Sequence, residues 1–304
     1  MKGPIRSFWR RKLGPHWTQD VHSETFWRKM LDPEFVTDAE LWALRYMLRR
    51  ALIEYARRRL LHDGARQHGP EFIHFDPLLN PDALTIGFAR RFATYKRAPL
   101  IFQKFEAIAK LATDRDRPIQ FVFAGKAHPM DEEGKRYIQQ IIDLSKTSEL
   151  RNHLVFLENY DVHVARQMVS GCDVWLNTPR RPLEASGTSG QKIGCNGGLN
   201  LSILDGWYRE GYDGTNGFAI GSDSNPDSVE EQDRVDSENL HRVLRDQVIP
   251  CFYDRDANGL PRCWLAMIRN AMATLVPAFT TWRMMREYVE KYYWPESEPE
   301  QFRK

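Results

Sequence analysis

Apolar residues in the first part of the chain recur three and four positions apart, as they do on one face of an α-helix. The set comprises Leu41, Leu44, Leu48, Leu52 and Tyr55. The sequence Thr37-Asp38-Ala39-Glu40 stands just before it and has the pattern of a capping box, so the helix is predicted to begin there. Gly64 and the sequence His68-Gly69-Pro70 predict that it ends nearby.

From Asp82 onward the pattern changes to short apolar runs that alternate with amphipathic segments. The apolar runs predict strands over 83–88, 119–124, 154–157, 174–176 and 199–204. Helices are predicted from Pro99 onward and over 135–144 and 162–169. This alternation indicates βαβ units, and therefore an α/β fold with a doubly wound parallel sheet. Ligands bind such sheets outside the carboxyl ends of the strands, so functional residues are expected just after strands.

The last third of the chain is predicted to contain an exposed loop and then helices. The segment 221–238 is acidic and polar, whereas 262–293 has a helical pattern that Pro277 should break or kink. The aromatic residues near this end are interpreted as packing residues: Trp282, Tyr288, Tyr292, Tyr293 and Trp294. We therefore expect a helical segment (1–80), a Rossmann-like domain (81–225), and an acidic loop with C-terminal helices (226–304).

The composition is that of a globular protein, with 42% hydrophobic and 28% charged residues among 304. A formal net charge of +2 is too small to indicate a nucleic-acid-binding protein. No apolar run approaches the ~20 residues that a membrane-spanning helix needs. The four cysteines show neither C-x-x-C pairing nor His spacing suited to zinc, so reduced thiols, no metal site and a cytoplasmic location are expected.

The segment from Glu184 to Lys192 carries the strongest chemical signal. Its glycine and small residues let a backbone approach a phosphate or a sugar closely, and a carboxylate and a lysine stand at its two ends. A lysine in this setting suits a cofactor that is bound covalently through an amine. A flexible linker would have a similar composition, but predicted strands on both sides place the segment between core elements.

A second candidate site follows the first predicted strand, where Arg90, Arg91, Lys96 and Arg97 provide four cations. Arginine can bind phosphate oxygens in a bidentate manner, and lysine adds a compact charge. A basic surface patch is the alternative interpretation. Lys126 and Tyr160 follow the second and third predicted strands.

Together these segments resemble motifs of the α-glucan phosphorylases, the glycogen, starch and maltodextrin phosphorylase family, and of its shorter bacterial and archaeal branch. The matches are Glu-Ala-Ser-Gly-Thr followed after three residues by Lys192, the basic stretch that ends in Tyr95-Lys96-Arg97, Gly125-Lys126-Ala127, and Leu157-Glu158-Asn159-Tyr160. The resemblance runs from about residue 20 to about residue 295. Asp161 departs from it, because glycogen phosphorylase has arginine there.

The resemblance implies a role for each matching residue. Lys192 would bind pyridoxal 5'-phosphate, with Arg90, Thr188, Ser189 and Tyr160 also at the cofactor. Arg91 and Lys96 would bind the substrate phosphate, so that Arg91, Lys96 and Lys192 form the catalytic set. Substrate contacts would come from Glu184, Ser186, Gly187 and Lys126.

The implied fold is a Rossmann-like domain of GT-B type, and the implied reaction is phosphorolysis of α-1,4-glucan termini to glucose 1-phosphate. The cofactor phosphate would serve as the proton relay. One alternative is a GT-B glycosyltransferase that uses a nucleotide sugar, a class that often has a second carboxylate where Lys192 stands here. A noncatalytic module that binds pyridoxal phosphate or a sugar phosphate is the other.

Only the C-terminal half of the family pattern is matched, and 1–80 would then correspond to the end of the N-terminal domain and a linker. We therefore expect a truncated or split phosphorylase that is inactive alone and needs a separate N-terminal half as its partner.

Overall fold

The computed structural model describes residues 3–68, 78–221 and 228–294. The N-terminal part contains helices α1 (Gly3–Leu13), α2 (Glu24–Arg28) and the long α3 (Asp38–His68). The predicted capping box is confirmed, because Thr37 Oγ1 accepts from the Glu40 N–H at 3.3 Å while Glu40 Oε2 accepts from the Thr37 N–H at 3.0 Å. The predicted break at Gly64 is wrong, since α3 continues to His68; the Gly69-Pro70 part of that prediction lies outside the described residues.

Six parallel strands form one sheet in the order β3-β2-β1-β4-β5-β6. They are β1 (Leu84–Phe92), β2 (Ile119–Ala127), β3 (Leu154–Leu157), β4 (Val174–Asn177), β5 (Leu199–Ile203) and β6 (Phe218–Ile220). The connecting helices are α4 (Phe105–Ala112), α5 (Glu132–Leu144), α6 (Val162–Gly171), α7 (Thr188–Gly194) and α8 (Trp207–Gly211). The predicted α/β doubly wound fold is confirmed, and the strand order reverses between β1 and β4.

Alternate residues of the sheet enter two separate cores, one on each face. On β2, Phe121 and Phe123 belong to a large cluster that includes Phe102, whereas Val122 and Ala124 belong to a cluster that includes Leu52 of α3. A strand that is buried on both faces has a continuously apolar sequence, as expected for a parallel sheet between helices.

Two strands extend further than the sequence pattern predicted. β1 continues through Arg90 and Arg91 to Phe92, and β2 continues through Lys126 to Ala127. The register pairs Arg91 with Lys126. These cations therefore lie at the carboxyl ends of the strands themselves and not in the loops that follow. Strand pairing extends this far because polar side chains do not prevent the backbone hydrogen bonds to the neighbouring strand.

A buried ion pair joins α3 to the sheet. Asp173, immediately before β4, accepts from Arg45 Nη2 at 3.2 Å and from Arg49 Nη1 at 2.9 Å, and all three side chains are almost completely buried. The second carboxylate oxygen of Asp173 accepts the Thr85 N–H of β1 at 3.1 Å. Loss of one partner from such a group is strongly destabilising, so α3 is an integral part of this domain.

The predicted acidic loop is wrong over much of its length, because Val229–Val243 forms helix α9. Ser228 caps it by accepting the Glu231 N–H at 3.1 Å, and acidic residues in the first turn suit the positive end of the helix dipole. Arg234 forms ion pairs with Glu231 and Glu238 on the exposed side. The remainder of the prediction, over 222–227, lies outside the described residues.

The C-terminal part continues through a π-helical turn (Leu244–Val248), α10 (Ile249–Tyr253), α11 (Arg262–Ala278), α12 (Thr281–Tyr288) and a second π-helical turn (Val289–Tyr293). α11 ends one residue after Pro277, as predicted. Cys251 and Cys263 form a disulfide between α10 and α11, so the expectation of reduced thiols is wrong for this pair. Cys172 and Cys195 do not belong to this disulfide.

Contrary to the prediction, the core does not include the aromatic residues Trp282, Tyr288, Tyr292, Tyr293 and Trp294. No residue of α12 is buried, and Tyr292, Tyr293 and Trp294 are about three-quarters exposed. An apolar surface of this kind marks an interaction site more often than an ordinary solvated face.

Candidate active site

The candidate site lies at the carboxyl ends of β1 and β4, where the strand order reverses. β1 leads into a short 3₁₀ turn (Thr94–Lys96), and β4 leads through a loop into α7. The two motifs singled out in the sequence are thereby brought together by the topology of the sheet. This is the position at which open α/β sheets bind ligands.

Arg90 and Glu184 form a buried ion pair at the centre of the site. Arg90 Nη2 donates to Glu184 Oε2 at 2.8 Å, and the two side chains are 5% and 9% exposed. Arg90 Nη1 donates to Asn177 Oδ1 at the end of β4, and Asn177 in turn donates to Ser202 Oγ at 3.1 Å. The guanidinium is thus fixed in orientation by two neighbouring segments.

Lys96 places a second cation beside this pair. Its Nζ lies 4.0 Å from Glu184 Oε2. Burial lowers the pKa of Lys96, and the positive charges of Arg90 and Arg91 lower it further, while the Glu184 carboxylate acts in the opposite direction. The local charge is therefore more positive than one carboxylate can balance, which is the condition under which a buried site binds an anion.

Arg97 holds the two motif segments in place. It occupies the left-handed region (φ 45°) and donates to the backbone carbonyls of Thr178 at 3.0 Å and Pro179 at 2.8 Å. Its guanidinium also donates to Asp233 at 2.8 Å and to Asp236 at 2.7 Å, both on α9. Helix α9, which forms where an acidic loop was predicted, therefore anchors Arg97 and the backbone that Arg97 holds.

The segment from Glu184 to Lys192 is a loop only in its first half. Gly187 has φ +111°, which side chains rarely adopt, and α7 begins at the next residue. Lys192 is exposed on α7, and its Nζ lies 3.2 Å from Thr188 Oγ1, so the lysine points back towards the loop. Ser189 Oγ accepts from the indole of Trp175 on β4 at 3.2 Å.

The other predicted site residues lie around this centre. Arg91 and Lys126 are exposed register neighbours, and Ser186 is exposed in the loop. Tyr160 is half-buried, and burial raises its pKa while the nearby charge of Arg90 opposes this rise. The structure thus brings Arg90, Lys96, Glu184 and Gly187 into one cluster, next to a pair formed by Thr188 and Lys192.

Sequence reasoning missed several residues that build the site. Asn177 orients Arg90, Asp205 accepts the Glu184 N–H at 2.9 Å, and Trp207 lies close to Gly187. All three come at or just after the carboxyl ends of β4 and β5. The positional rule for parallel sheets could therefore have indicated them, although their residue types could not.

Over residues 3–68, 78–221 and 228–294, no group of three or more His, Cys, Asp or Glu side chains is placed to hold a metal ion. Among the helices of those same ranges, none has the length and apolar character needed to cross a membrane.

Comparison with known proteins agrees with the motifs. The chain is 44% identical over 260 residues to a maltodextrin phosphorylase of Thermococcus litoralis. The aligned region covers 86% of this chain and 30% of that protein. It is 43% identical over 261 residues to a glycogen phosphorylase of Aquifex aeolicus, covering 85% of this chain and 37% of that protein. The chain thus spans about a third of the length of these curated relatives.

A family model described as carbohydrate phosphorylase matches residues 72–241, which include every strand of the sheet and both motif segments. The chain therefore belongs to the carbohydrate phosphorylase family.

Proposed function

We propose that this chain provides the cofactor- and phosphate-binding part of an α-glucan phosphorylase, an enzyme that cleaves α-1,4-glucan termini with inorganic phosphate and forms glucose 1-phosphate. The observation that carries the proposal is the buried cluster of Arg90, Lys96 and Glu184 beside Gly187, at the strand-order reversal. The curated relatives are named as maltodextrin and glycogen phosphorylases, which supports this choice of substrates.

The residues present fit pyridoxal 5'-phosphate. Lys192 offers an exposed amine whose hydrogen-bond partner is the Thr188 hydroxyl, and the cation cluster has a surplus of positive charge for a phosphate group. We propose that Lys192 binds the cofactor covalently, with Arg90, Thr188, Ser189 and Tyr160 around it. When bound, the cofactor would supply a phosphate group that can relay a proton to and from the substrate phosphate.

The protein residues would then bind and orient the reactants. Arg91 and Lys96 would hold inorganic phosphate, and an anion next to Lys96 would raise its pKa back towards the ordinary value. Such fixed cations stabilise charge that develops on phosphate oxygens. The sugar would be contacted by Glu184, Ser186, Gly187 and Lys126. The Glu184 carboxylate can accept hydrogen bonds from sugar hydroxyl groups, which the cations cannot do.

Turnover requires more of the family's length than this chain spans. We propose that the missing part, present either on the same polypeptide or as a separate N-terminal half, completes a GT-B enzyme and covers the exposed aromatic residues of the C-terminal end. A cavity of about 820 Å³ adjoins that surface and is lined by His22, Leu31, Pro277, Trp282 and Arg286 among others. Its mixture of apolar and charged groups suits a protein partner.

We propose a cytoplasmic location for this function.

A nucleotide-sugar glycosyltransferase is the less favoured alternative. Lys192 stands where that class often carries a second carboxylate, and its amine cannot accept a hydrogen bond from a ribose hydroxyl. A noncatalytic binding module would show cofactor binding without turnover under any condition.

The test is glucose 1-phosphate release from maltodextrin and inorganic phosphate by the chain alone and after addition of the N-terminal two-thirds of the Thermococcus litoralis relative. We expect release only with both parts, and none when Lys192→Ala replaces the wild type. Release by the chain alone would refute the need for the missing part. Failure of every combination, with cofactor bound, would support the noncatalytic module.

A further inference from the structure

Trp207 is a buried tryptophan whose indole N–H has no hydrogen-bond partner among the described residues. It follows β5 and opens α8, and only 4% of its surface is exposed. Phe279 packs edge-on against the ring with centroids 4.9 Å apart, and a Cβ at Gly190 would lie 3.0 Å from Trp207 Cζ2. The ring is therefore held on two sides, and its N–H has a fixed direction.

The indole nitrogen lies at the edge of the candidate site. A Cβ placed on Gly187 would lie 3.6 Å from Arg90 Nη2, 3.6 Å from Glu184 Oε1 and 3.7 Å from Trp207 Nε1. Three polar atoms thus surround one small space that the absent side chain of Gly187 leaves open. A buried N–H without a partner is costly, so a polar atom in this space would relieve that cost.

An unpaired indole N–H alone would not indicate a ligand, because Trp9 and Trp264 share this condition. All three rings contact other aromatic rings: Trp9 contacts Phe8 and Phe26, Trp264 contacts Phe218 and Phe252, and Trp207 contacts Tyr208 and Phe279. Trp207 differs from them because an arginine and a carboxylate border the same space as its N–H.

The chemistry of the three atoms selects the ligand group. Arg90 Nη2 and Trp207 Nε1 can only donate, whereas the Glu184 carboxylate can only accept when ionised. A phosphate oxygen would accept from the two donors but would be repelled by Glu184. A hydroxyl group can accept from both donors and donate its own proton to Glu184.

We infer that Trp207 is a sugar-binding residue whose indole N–H donates to the hydroxyl group held between Arg90 and Glu184. This inference rests on the proposed function, because it assumes that a sugar enters the site next to the phosphate. It adds a basis for specificity. The hydroxyl is recognised as both donor and acceptor, so a sugar that lacks it would leave the Trp207 N–H and the Oε1 atom of Glu184 without that hydrogen bond.

The test uses indole ¹⁵N–¹H resonances of the chain with pyridoxal phosphate added, titrated separately with glucose 1-phosphate and inorganic phosphate. Trp207→Phe identifies the Trp207 resonance by its disappearance and keeps an aromatic ring against Phe279. Trp264→Phe is the matched control, since it removes an equally buried, unpaired N–H. If Trp207→Phe does not fold, the resonance is assigned from the wild-type chain by triple-resonance spectra.

We expect the Trp207 resonance to shift with glucose 1-phosphate and to remain fixed with inorganic phosphate. Trp207→Phe should weaken glucose 1-phosphate binding by about five- to tenfold, the loss expected for one hydrogen bond, and should leave phosphate binding unchanged. Trp264→Phe should change neither affinity.

Two results would overturn the inference while leaving the proposed function intact: wild-type binding of glucose 1-phosphate without a shift at Trp207, or equal affinity in Trp207→Phe. Binding of phosphate without any binding of glucose 1-phosphate would overturn the sugar-binding role as well. Absence of binding by both probes and by the cofactor would refute the proposed function, and the role of Trp207 with it.

Discussion

Arg90 Nη2 and Glu184 Oε2 lie 2.8 Å apart although 94 positions separate the two residues in the chain. The pair joins the end of β1 to the loop after β4, and both side chains are nearly buried. A buried ion pair is rarely a strong source of stability, because desolvation of both charges offsets their attraction. Its value here is geometric: it aims two charged groups at the space next to Gly187.

Removal of Arg90 alone should therefore destabilise the fold more than removal of both charges. Arg90→Met leaves the Glu184 carboxylate buried with Lys96 as its remaining ion-pair partner among the described residues. We expect a loss of about 3 kcal/mol in the free energy of unfolding. The double variant Arg90→Met, Glu184→Gln should recover most of that loss. Urea unfolding followed by circular dichroism measures both values. Additive losses in the double variant would show that the pair is not coupled as described.

Gly187→Ala should lower both the stability of the fold, through backbone strain, and the affinity for ligand, through the space that the new Cβ fills. The residue has φ +111°, and its Cβ would occupy the space bordered by Arg90, Glu184 and Trp207. We expect a stability loss of about 1 kcal/mol from the strained backbone, and a loss of at least about tenfold in affinity for glucose 1-phosphate measured by calorimetry.

Gly259→Ala is the matched control for this change. Gly259 has φ +74°, but a Cβ there would have nothing within 4 Å. It should therefore lose a similar amount of stability and retain full affinity. If both variants bind equally well, the space next to Gly187 is not a ligand site.

His241 on α9 should make the fold sensitive to acid. Burial, followed by the charge of Lys104, lowers its pKa from 6.5 to about 4. The unfolded chain would thus bind a proton on this residue between those two values and the folded chain would not, so the contribution to stability is complete above pH 6.5 and is lost as the pH falls towards 4.

We expect that contribution to be about 2 kcal/mol after allowance for partial solvent access. The check is the free energy of unfolding of the wild type and of His241→Leu between pH 4 and pH 7. The difference between the two should change by this amount across the range. A difference that does not vary with pH would contradict the buried, neutral state of His241.

The sequence was sufficient for the architecture because apolar runs and caps are local signals. Thr37 and Glu40 formed the predicted capping box, and the alternation of strands and helices led directly to the parallel sheet. Local composition predicted the wrong secondary structure where a few specific contacts outweigh the composition. Ser228 and the α9 ion pairs stabilise a helix in an acidic stretch, and strand pairing extends β1 through two arginines.

The geometry of the site required the folded topology. Arg97 looked like one more cation in a basic segment, yet it is the residue that fixes the backbone at Thr178 and Pro179. Trp207 gave no chemical signal at all, because its relation to Gly187 arises only when the folded sheet brings the segment after β5 next to the loop after β4. Contacts between segments that are distant in the chain cannot be read from residue spacing.

The most direct test of the central claim is where pyridoxal phosphate attaches. The chain would be incubated with the cofactor, reduced with borohydride, digested and analysed by mass spectrometry, with Lys192→Ala and Lys126→Ala in parallel. Lys126 is also exposed near the ends of the strands and is the matched control. We predict one adduct on Lys192, lost in Lys192→Ala and retained in Lys126→Ala. Adducts spread over exposed lysines, or unchanged labelling in Lys192→Ala, would contradict the assignment of this site.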